Sequence, residues 1–373
     1  MKSVHGRAEA SPPPSQACRP KDVGTFGNPT PLHGARFARA AGCFGTSLIV
    51  ALCIGACGGD DTTATTAGVD GGPSTPATDA ATSSDALVAA DTALPQPDPK
   101  CDAKQAQKLD DVWMIGADGG ARTMKVHVPA GYDPKRPTPV VFNFHGFGSN
   151  ADQENLLAKM NAKADKEMFV TVHAEGTVNS WNAGACCGEA VNQNIDDVAF
   201  VGKMIDALED RLCVDTKRVF ATGMSNGGFL SHRLGCELAD RIAAIAPVAG
   251  VMGMPTCTPS RPISVMHFHG TADGLVPYNG NPSQKFIAVQ TSFGDWAKRD
   301  GCTGQPEETF TKGDSKCSTY KTCAQGAEVT LCTVTGGGHT WPGGTPYPPL
   351  GYTTTDLVAT DAMWDFFKRH PKS

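Results

Sequence analysis

The sequence predicts an α/β fold in which a mostly parallel sheet carries helices on both of its faces. From Cys101 onward, short strand patterns alternate with helical ones, which is typical of crossover connections between parallel strands. Several strands are continuously apolar, which indicates that both of their faces are covered. The roughly 270 residues from Cys101 onward are enough to bury one large core.

The predicted strands begin with an alternating segment at 122–128, and the others follow at 139–144, 167–173, 218–222, 242–248, 263–268 and 328–334. Helical patterns intervene at about 151–165, 194–211, 226–237, 285–299 and 354–369. In a sheet of this kind, ligands bind at the carboxyl ends of the strands. Candidate site residues are therefore expected in the loops that follow the strands.

Residues 1–57 are predicted to be a leader that contains an export signal. Arg36 and Arg39 precede an apolar run at 40–56 that is too short and too diluted for a stable membrane-spanning helix. The run ends in Ile54-Gly-Ala-Cys57, which resembles a bacterial lipobox, so Cys57 is the predicted lipidation site. An ordinary secretory signal with a nearby cleavage site is the alternative. Both interpretations predict export to the cell envelope or beyond.

Residues 58–100 are predicted to form a disordered linker. From Gly58 to Pro99 the chain is mostly Thr, Ala, Asp, Ser, Gly and Pro, with no Lys, Arg or aromatic residue. Such a segment cannot bury enough apolar surface to offset its chain entropy. Residues 101–373 are predicted to form a single catalytic domain, which contacts a membrane only through the lipid anchor.

Charge and cysteine content narrow the class of protein further. The net charge of -6 is mild and no basic stripe occurs, so we expect no nucleic-acid partner. Ten cysteines lie between Cys101 and Cys332, and an even number in an exported protein favours disulfides. Cys236–Cys257 and Cys302–Cys323 are the suggested pairs, and the remaining connectivity stays open. No metal site is expected, because no C-x-x-C pair occurs there.

The segment Ala221-Thr-Gly-Met-Ser-Asn-Gly-Gly228 joins a predicted strand to a predicted helix, with Ser225 at the apex. Gly223 and Gly227 flank the serine, and a side chain at either position would collide with the other arm of so tight a turn. The turn lifts the hydroxyl out of the sheet. The N–H of Asn226 begins the helix and can stabilise an oxyanion. The alternative is a glycine-rich turn with an idle serine.

A serine hydroxyl needs a base to become nucleophilic, and the base needs an orienting carboxylate. Asp273 follows the strand at 263–268, and His339 lies in a glycine-rich loop after the last strand. The chain order Ser225, Asp273, His339 is that of α/β-hydrolases. We therefore predict an α/β-hydrolase fold in which these three residues form a catalytic triad.

Other polar candidates are less well placed. Asp295 and Asp300 fall on or near a predicted helix, and His370 lies at the polar C-terminus. Five further residues are expected to be structural: His145, His267, His269, Asp196 and Asp197.

The second oxyanion donor is expected in the loop that follows the strand at 139–144. The N–H of Phe147 is the candidate, although this segment is also consistent with a glycine turn that only ends a strand. Trp181 and Trp341 are candidate substrate-binding residues, since an indole can form an apolar wall for an acyl or aromatic group. Ordinary core packing is the alternative for both tryptophans.

Six motifs together resemble the polyhydroxybutyrate depolymerase and feruloyl esterase family of α/β-hydrolases, which is carbohydrate esterase-like: Phe144-His-Gly-Phe147, Trp181-Asn-Ala-Gly184 with Cys186-Cys-Gly188, Asn194-Ile-Asp-Asp-Val198, Gly223-Met-Ser-Asn-Gly-Gly228, His269-Gly-Thr-Ala-Asp273 and Gly338-His-Thr-Trp-Pro-Gly343. The similarity extends from about Arg122 to the C-terminus. It implies Ser225 as nucleophile, His339 as base and Asp273 as its orienter. Members cleave short polyesters, hydroxycinnamoyl esters on plant cell-wall sugars or acetyl esters, so the resemblance does not fix the substrate.

The prediction is therefore an exported serine carboxylesterase that acts through an acyl-enzyme and requires no metal or organic cofactor. Its expected partner is an oligomeric or polymeric ester, first a feruloyl or aryl ester of plant polysaccharide. Polyhydroxybutyrate or its oligomers and acetyl xylan are alternative substrates. A peptidase of similar fold and a non-catalytic surface lipoprotein are alternatives of another class. The oligomeric state does not follow from the sequence.

Overall fold

A computed structural model describes residues 96–104, 108–117 and 120–373. The predicted leader at 1–57, the predicted lipidation at Cys57 and most of the predicted linker lie outside the described residues. The domain boundaries drawn from sequence therefore stay a prediction.

A ten-stranded sheet forms the centre of the described chain. Its strands are β1 (Asp110–Ala117), β2 (Gly120–His127), β3 (Thr138–Phe144), β4 (Val170–Ala174), β5 (Val214–Met224), β6 (Ala244–Val248), β7 (Ser264–Gly270), β8 (Glu307–Lys312), β9 (Ser315–Tyr320) and β10 (Val329–Val334). They lie in the order β1-β2-β4-β3-β5-β6-β7-β10-β9-β8. The run from β4 to β10 in this order is parallel, and two strands at each edge are antiparallel. The predicted mostly parallel sheet is confirmed.

Helices cover both faces of this sheet, as predicted. They are α1 (Ala151–Ala158), α2 (Met160–Glu167), α3 (Gly188–Asn192), α4 (Asp197–Arg211), α5 (Asn226–Glu237), α6 (Val289–Arg299) and α7 (Ala359–Arg369). Buried side chains of α4, α5 and α6 belong to one apolar core, and those of α1, α2 and α7 to the other. In the described part of the chain, no helix combines the length and the apolar character needed to cross a membrane.

Aromatic packing dominates the core beneath α7. Trp364 stacks on Phe169 with ring centroids 4.1 Å apart, and Phe367 stacks on Phe220 at 4.5 Å. Burying a large apolar side chain contributes about 1.5–3 kcal/mol. These contacts hold the C-terminal helix against β5, the strand that ends at Met224.

Two differences from the predicted elements have local causes. The helix expected at 151–165 divides into α1 and α2, because Lys159 adopts a left-handed conformation with φ 55° and ends the first helix. The strands β1, β8 and β9 were not predicted. They lie at or near the edges, where one face stays in water and the apolar signal is diluted, as the largely exposed β8 illustrates.

All ten cysteines of the described chain form disulfides: Cys101–Cys213, Cys186–Cys187, Cys236–Cys257, Cys302–Cys323 and Cys317–Cys332. Both pairs suggested by the sequence are present. The disulfide-stabilised α/β-hydrolase fold predicted from the sequence is confirmed.

Candidate active site

Ser225 occupies a sharp turn between β5 and α5. Its φ of 56° and ψ of -121° lie in a region that non-glycine residues rarely adopt. Its N–H donates to the Val248 carbonyl at 2.9 Å, and its carbonyl accepts from the Phe229 N–H at 2.9 Å. The backbone is thus fixed from both sides. The strand, turn and helix form the strained elbow that the motif predicted.

The end of β3 explains why glycines flank this turn. A Cβ atom on Gly223 or on Gly227 would collide with the carbonyl oxygen of Phe144, the last residue of β3. A Cβ on Gly223 would also lie 2.9 Å from the Gly227 backbone. Small residues are therefore required both by the turn itself and by the strand that packs against it.

The loops after β7 and β10 are joined by backbone hydrogen bonds. The Thr271 N–H donates to the Val334 carbonyl at 2.9 Å, and the Ala272 N–H donates to the Gly337 carbonyl at 2.9 Å. Because β7 and β10 are adjacent and parallel, both loops leave the same edge of the sheet. This arrangement places the loop that carries Asp273 beside the loop that carries His339, although the two loops are distant from each other in sequence.

His339 and Asp273 meet at this edge. The distance from His339 Nδ1 to Asp273 Oδ2 is 2.7 Å, and the Leu275 and Val276 N–H groups donate to Asp273 Oδ1 at 2.9 and 2.8 Å. Burial alone would raise the pKa of Asp273, but hydrogen bonds from His269 and His339 hold it well below its usual value. The carboxylate is therefore ionised and accepts the Nδ1 proton. His339 Nε2 is then left free to act as a base.

Ser225 lies at the same edge of the sheet, beneath the loop that follows β3. A Cβ atom on Gly146 would lie 3.3 Å from Ser225 Cβ and 3.9 Å from Ser225 Oγ. Neither the N–H of Phe147 nor that of Asn226 has a hydrogen-bond partner among the residues that the structure describes. Within those residues no hydrogen bond joins Ser225 Oγ to His339. Catalytic contacts of this kind commonly tighten only when substrate binds.

The structure does not support the expectation that Trp181 binds substrate. Its side chain has 0% exposure, its Nε1–H donates to the His145 carbonyl at 3.0 Å, and its ring packs edge-on against Phe144. The Asn226 side chain holds its backbone, accepting from the Trp181 N–H at 2.7 Å and donating to the Trp181 carbonyl at 3.0 Å. The indole is a packing residue beneath the site because both its faces and its N–H are satisfied inside the protein.

Trp341 is likewise a core residue, contrary to expectation. It is 1% exposed, and its Nε1–H donates to Thr360 Oγ1 at 3.0 Å. It therefore connects the histidine loop to α7 and has no surface left for a substrate.

Exposed apolar side chains occur in the loops that carry or contact site residues. Phe147, Leu275 and Tyr347 are 58%, 55% and 53% exposed. Phe147 lies in the loop that covers Ser225, and the N–H of Leu275 donates to Asp273. Tyr347 accepts from the Leu350 N–H, and the Leu350 carbonyl accepts from the His339 N–H. The sequence signal for Leu275 and Tyr347 was only that each is a large apolar residue in a loop otherwise rich in Gly, Pro and Asp.

A buried ion pair fixes the loop that carries Trp181. Asp197 Oδ1 accepts from Arg122 at 2.7 Å, and Asp197 Oδ2 accepts from the Asn182 N–H at 2.6 Å. The guanidinium also stacks over the Phe200 ring at 3.8 Å. Burial raises the pKa of Asp197 despite the attraction of Arg122. Asp197 is structural, as predicted, but its pairing with a residue of β2 has no signal in the sequence.

The sequence of this chain is similar to those of known esterases. A family model of phospholipases and carboxylesterases matches residues 127–292. Feruloyl esterase B of Piromyces equi is 35% identical over 234 residues, which cover 58% of this chain and 42% of that protein. The chain thus spans about two fifths of the length of the Piromyces protein.

Two further relatives match over most of their own length. The putative esterase NocK of Nocardia uniformis subsp. tsuyamanensis is 30% identical over 274 residues, which cover 66% of this chain and 79% of that protein. Feruloyl esterase C of Emericella nidulans is 27% identical over 252 residues, which cover 66% of this chain and 83% of that protein. These matches confirm the resemblance inferred from the motifs, and the chain belongs to the feruloyl esterase-like family of α/β-hydrolases, a family of carboxylic ester hydrolases.

Proposed function

We propose that this protein hydrolyses carboxylic esters through an acyl-enzyme formed on Ser225. The 2.7 Å hydrogen bond between His339 and the ionised Asp273 carries this proposal. It fixes the tautomer in which Nε2 can take a proton, at the sheet edge where the elbow presents Ser225.

The reaction follows from these assignments. His339 Nε2 takes the proton of Ser225 Oγ as the oxygen attacks the ester carbonyl. The N–H groups of Phe147 and Asn226 stabilise the oxyanion, and each such donor typically contributes about 10²–10³ in turnover. His339 then donates the proton to the leaving alcohol. Water, activated by the same imidazole, hydrolyses the acyl-enzyme and restores Ser225.

The proposed substrates are feruloyl or similar aryl esters of plant polysaccharide. The names of two relatives, the feruloyl esterases of Piromyces and Emericella, support this choice. The exposed side chain of Phe147 also supports it, because the loop that carries it covers Ser225 and the ring offers apolar surface to an aromatic acyl group.

We further propose that the protein is exported and anchored by a lipid on Cys57. The basis is the sequence Ile54-Gly-Ala-Cys57 after an apolar run. Recovery of the intact protein in the membrane fraction, and its release by Cys57→Ala, is the corresponding test.

The first experiment compares the full chain with Ser225→Ala on methyl ferulate and p-nitrophenyl acetate. We expect the variant to lose at least about 10³-fold in kcat/KM with unchanged thermal stability, because only the nucleophile is removed. A fluorophosphonate should label the wild-type protein and leave the variant unlabelled. Equal turnover by the two proteins would remove Ser225 from the mechanism.

A substrate panel separates the remaining alternatives. Methyl ferulate, acetylated xylan, hydroxybutyrate oligomers and an amide-linked chromophore represent the four activities under consideration. We expect the highest kcat/KM on methyl ferulate. A preference for acetylated xylan or hydroxybutyrate would keep the mechanism and change the substrate, and a preference for the amide would indicate a peptidase.

A further inference from the structure

A second histidine contacts the carboxylate of Asp273. His269 Nε2 lies 3.3 Å from Asp273 Oδ2 and 2.8 Å from the carbonyl oxygen of Val276. Both neighbours are acceptors, so Nε2 carries a proton and donates it. That proton is hydrogen-bonded to the Val276 carbonyl, and Oδ2 of Asp273, the atom that orients His339, lies at a longer contact with the same N–H.

This contact covers the remaining side of the carboxylate. Oδ1 of Asp273 accepts from the N–H groups of Leu275 and Val276, and Oδ2 accepts from His339 and lies 3.3 Å from Nε2 of His269. A carboxylate offers about four acceptor positions, of which three are hydrogen-bonded and the fourth faces His269. Asp273 can then neither rotate nor take a proton without giving up a donor.

The neighbours of His269 fix its proton arrangement. His269 Nδ1 lies 3.1 Å from His267 Nε2, and because His269 donates through Nε2, its Nδ1 accepts from His267. The Tyr278 ring lies edge-on at 6.0 Å, and His232 packs against His267 at 5.3 Å. Burial lowers the pKa of His267, and lowers that of His232 to about 3, so both rings are neutral. The titratable groups that face His269 directly are therefore Asp273, His267 and Tyr278.

We propose that His269 is a positioning residue that shares Asp273 with His339 and thereby limits how strongly Asp273 binds the imidazole of His339. This inference rests on the proposed function and goes beyond the structural role expected from the sequence. An oxygen that accepts two donors is a weaker acceptor for each. The shared oxygen keeps His339 oriented, yet leaves it able to release its proton to the leaving alcohol.

The test compares two substitutions of His269 in the full chain. His269→Asn can still accept from His267, but its amide is too short to reach Asp273, whereas the Gln amide of His269→Gln extends to the position of Nε2. We expect His269→Asn to lower kcat about 10-fold with little change in KM, as the loss of a hydrogen bond to a charged group predicts. The acidic limb of its kcat/KM profile should move to higher pH, because Asp273 then holds the protonated His339 more tightly. His269→Gln should restore most of both properties.

His232→Asn is the matched control, since His232 is equally buried in the same histidine row but is hydrogen-bonded to Trp296 and not to His269 or Asp273. It should lower thermal stability as much as His269→Asn and leave the acidic limb in place. Equal movement of the limb in both variants would reduce His269 to a packing residue and overturn the proposal.

A readout without turnover separates this proposal from the proposed function. In the Ser225→Ala background, the proton between His339 and Asp273 gives a downfield proton resonance, and His269→Asn should move it further downfield. If His269→Asn does not fold, the resonance of His269→Gln is measured in its place. The Gln amide is a weaker donor than the imidazole, so the resonance should move in the same direction, but less than is expected for His269→Asn. A resonance that stays in place in the folded variant overturns the role of His269. Undiminished turnover by Ser225→Ala alone would instead overturn the proposed function.

Discussion

Two non-glycine residues at the base of the site have left-handed backbone conformations. Ser225 has φ 56°, and Ala249, one residue after β6, has φ 49°. Each such residue costs of order 1–3 kcal/mol, and such residues persist only where the surrounding structure over-determines them. The Ser225 N–H donates to Val248 and the Ala249 N–H donates to Phe268, both at 2.9 Å. The sheet thus supplies the bonds that hold the elbow in its strained form.

Glu154 of α1 is a buried acid with no hydrogen-bond partner for either carboxyl oxygen among the described residues. Burial raises its pKa from 4.5 to about 8. Between pH 4.5 and about 8, the folded protein therefore keeps the proton of the Glu154 carboxyl, whereas the unfolded chain has released it. Since the folded state holds more protons in this window, stability falls as the pH rises from about 4.5 to about 8 and changes no further above it.

At the residue scale, we expect Glu154→Gln to remove this pH dependence, because the amide is neutral throughout. The loss of unfolding free energy between pH 5 and pH 8.5 should be smaller in the variant by about 2–4 kcal/mol. Urea unfolding at the two pH values measures it. Asp152→Asn, on the same helix but largely exposed, is the control and should follow the wild type. Identical pH curves for Glu154→Gln and wild type would show that the Glu154 carboxyl is solvated.

At the scale of elements, the segment from Trp181 to Cys187 is held by the first residues of two helices. Asn226, the first residue of α5, bonds the backbone of Trp181 and donates to the Cys186 carbonyl at 3.2 Å. Asp197, the first residue of α4, accepts from the Asn182 N–H. The first residues of α4 and α5 thus fix a loop that has no regular secondary structure of its own. The side chain of Asn226 has this anchoring role in addition to its proposed backbone role in catalysis.

The contact between β3 and the elbow gives the prediction for this scale. Gly227→Ala would drive a methyl group into the Phe144 carbonyl, so the elbow and the end of β3 must separate. We expect a loss of about 2–3 kcal/mol in unfolding free energy and a loss of most esterase activity. Denaturant unfolding and kcat/KM on methyl ferulate check the two expectations.

Gly202→Ala in α4 is the matched control, because nothing lies within 4 Å of its Cβ position. There the methyl group meets open space and removes backbone freedom from the unfolded chain. The control should therefore gain about 0.5–1 kcal/mol and keep full activity. A Gly227→Ala variant that behaves like this control would contradict the close approach of β3 to the elbow.

On the scale of the whole molecule, disulfides tie distant parts of the sheet together. Cys101–Cys213 connects the first described turn to the start of β5 across 112 residues, whereas Cys317–Cys332 joins neighbouring strands across 15 residues. In the chain-entropy description, a longer closed loop restricts the unfolded state more. The four sulfurs are all buried, so their apolar contributions are similar.

We therefore expect replacement of Cys101 and Cys213 by Ala to lower the unfolding free energy by about 4–5 kcal/mol. Replacement of Cys317 and Cys332 by Ala should lower it by about 3 kcal/mol. Urea unfolding of the two double variants beside the wild type gives the comparison. A larger loss for the pair that joins β9 and β10 would mean that packing between those strands, and not loop length, dominates.

Local sequence patterns predicted those parts of this protein whose structure depends on a few neighbouring residues. The alternation of strands and helices follows from apolar periodicity, and the elbow at Ser225 follows from glycines at fixed spacing. Helix α5 was predicted within its observed bounds, since the turn that begins it is unambiguous. The chain order of Ser225, Asp273 and His339 was informative because parallel strands deliver their carboxyl ends to one edge of the sheet.

Contacts between distant segments establish which side chains face the site and which support it. Trp341 follows His339 by two residues and Trp181 stands in one of the family-like motifs, yet both are buried. The ion pair of Arg122 with Asp197 joins two groups that are 75 residues apart and whose contact no local pattern encodes. The physical reason is that periodicity and turn chemistry act over a few residues, whereas burial and hydrogen-bond partners are set by strands and loops that meet only after the sheet has formed.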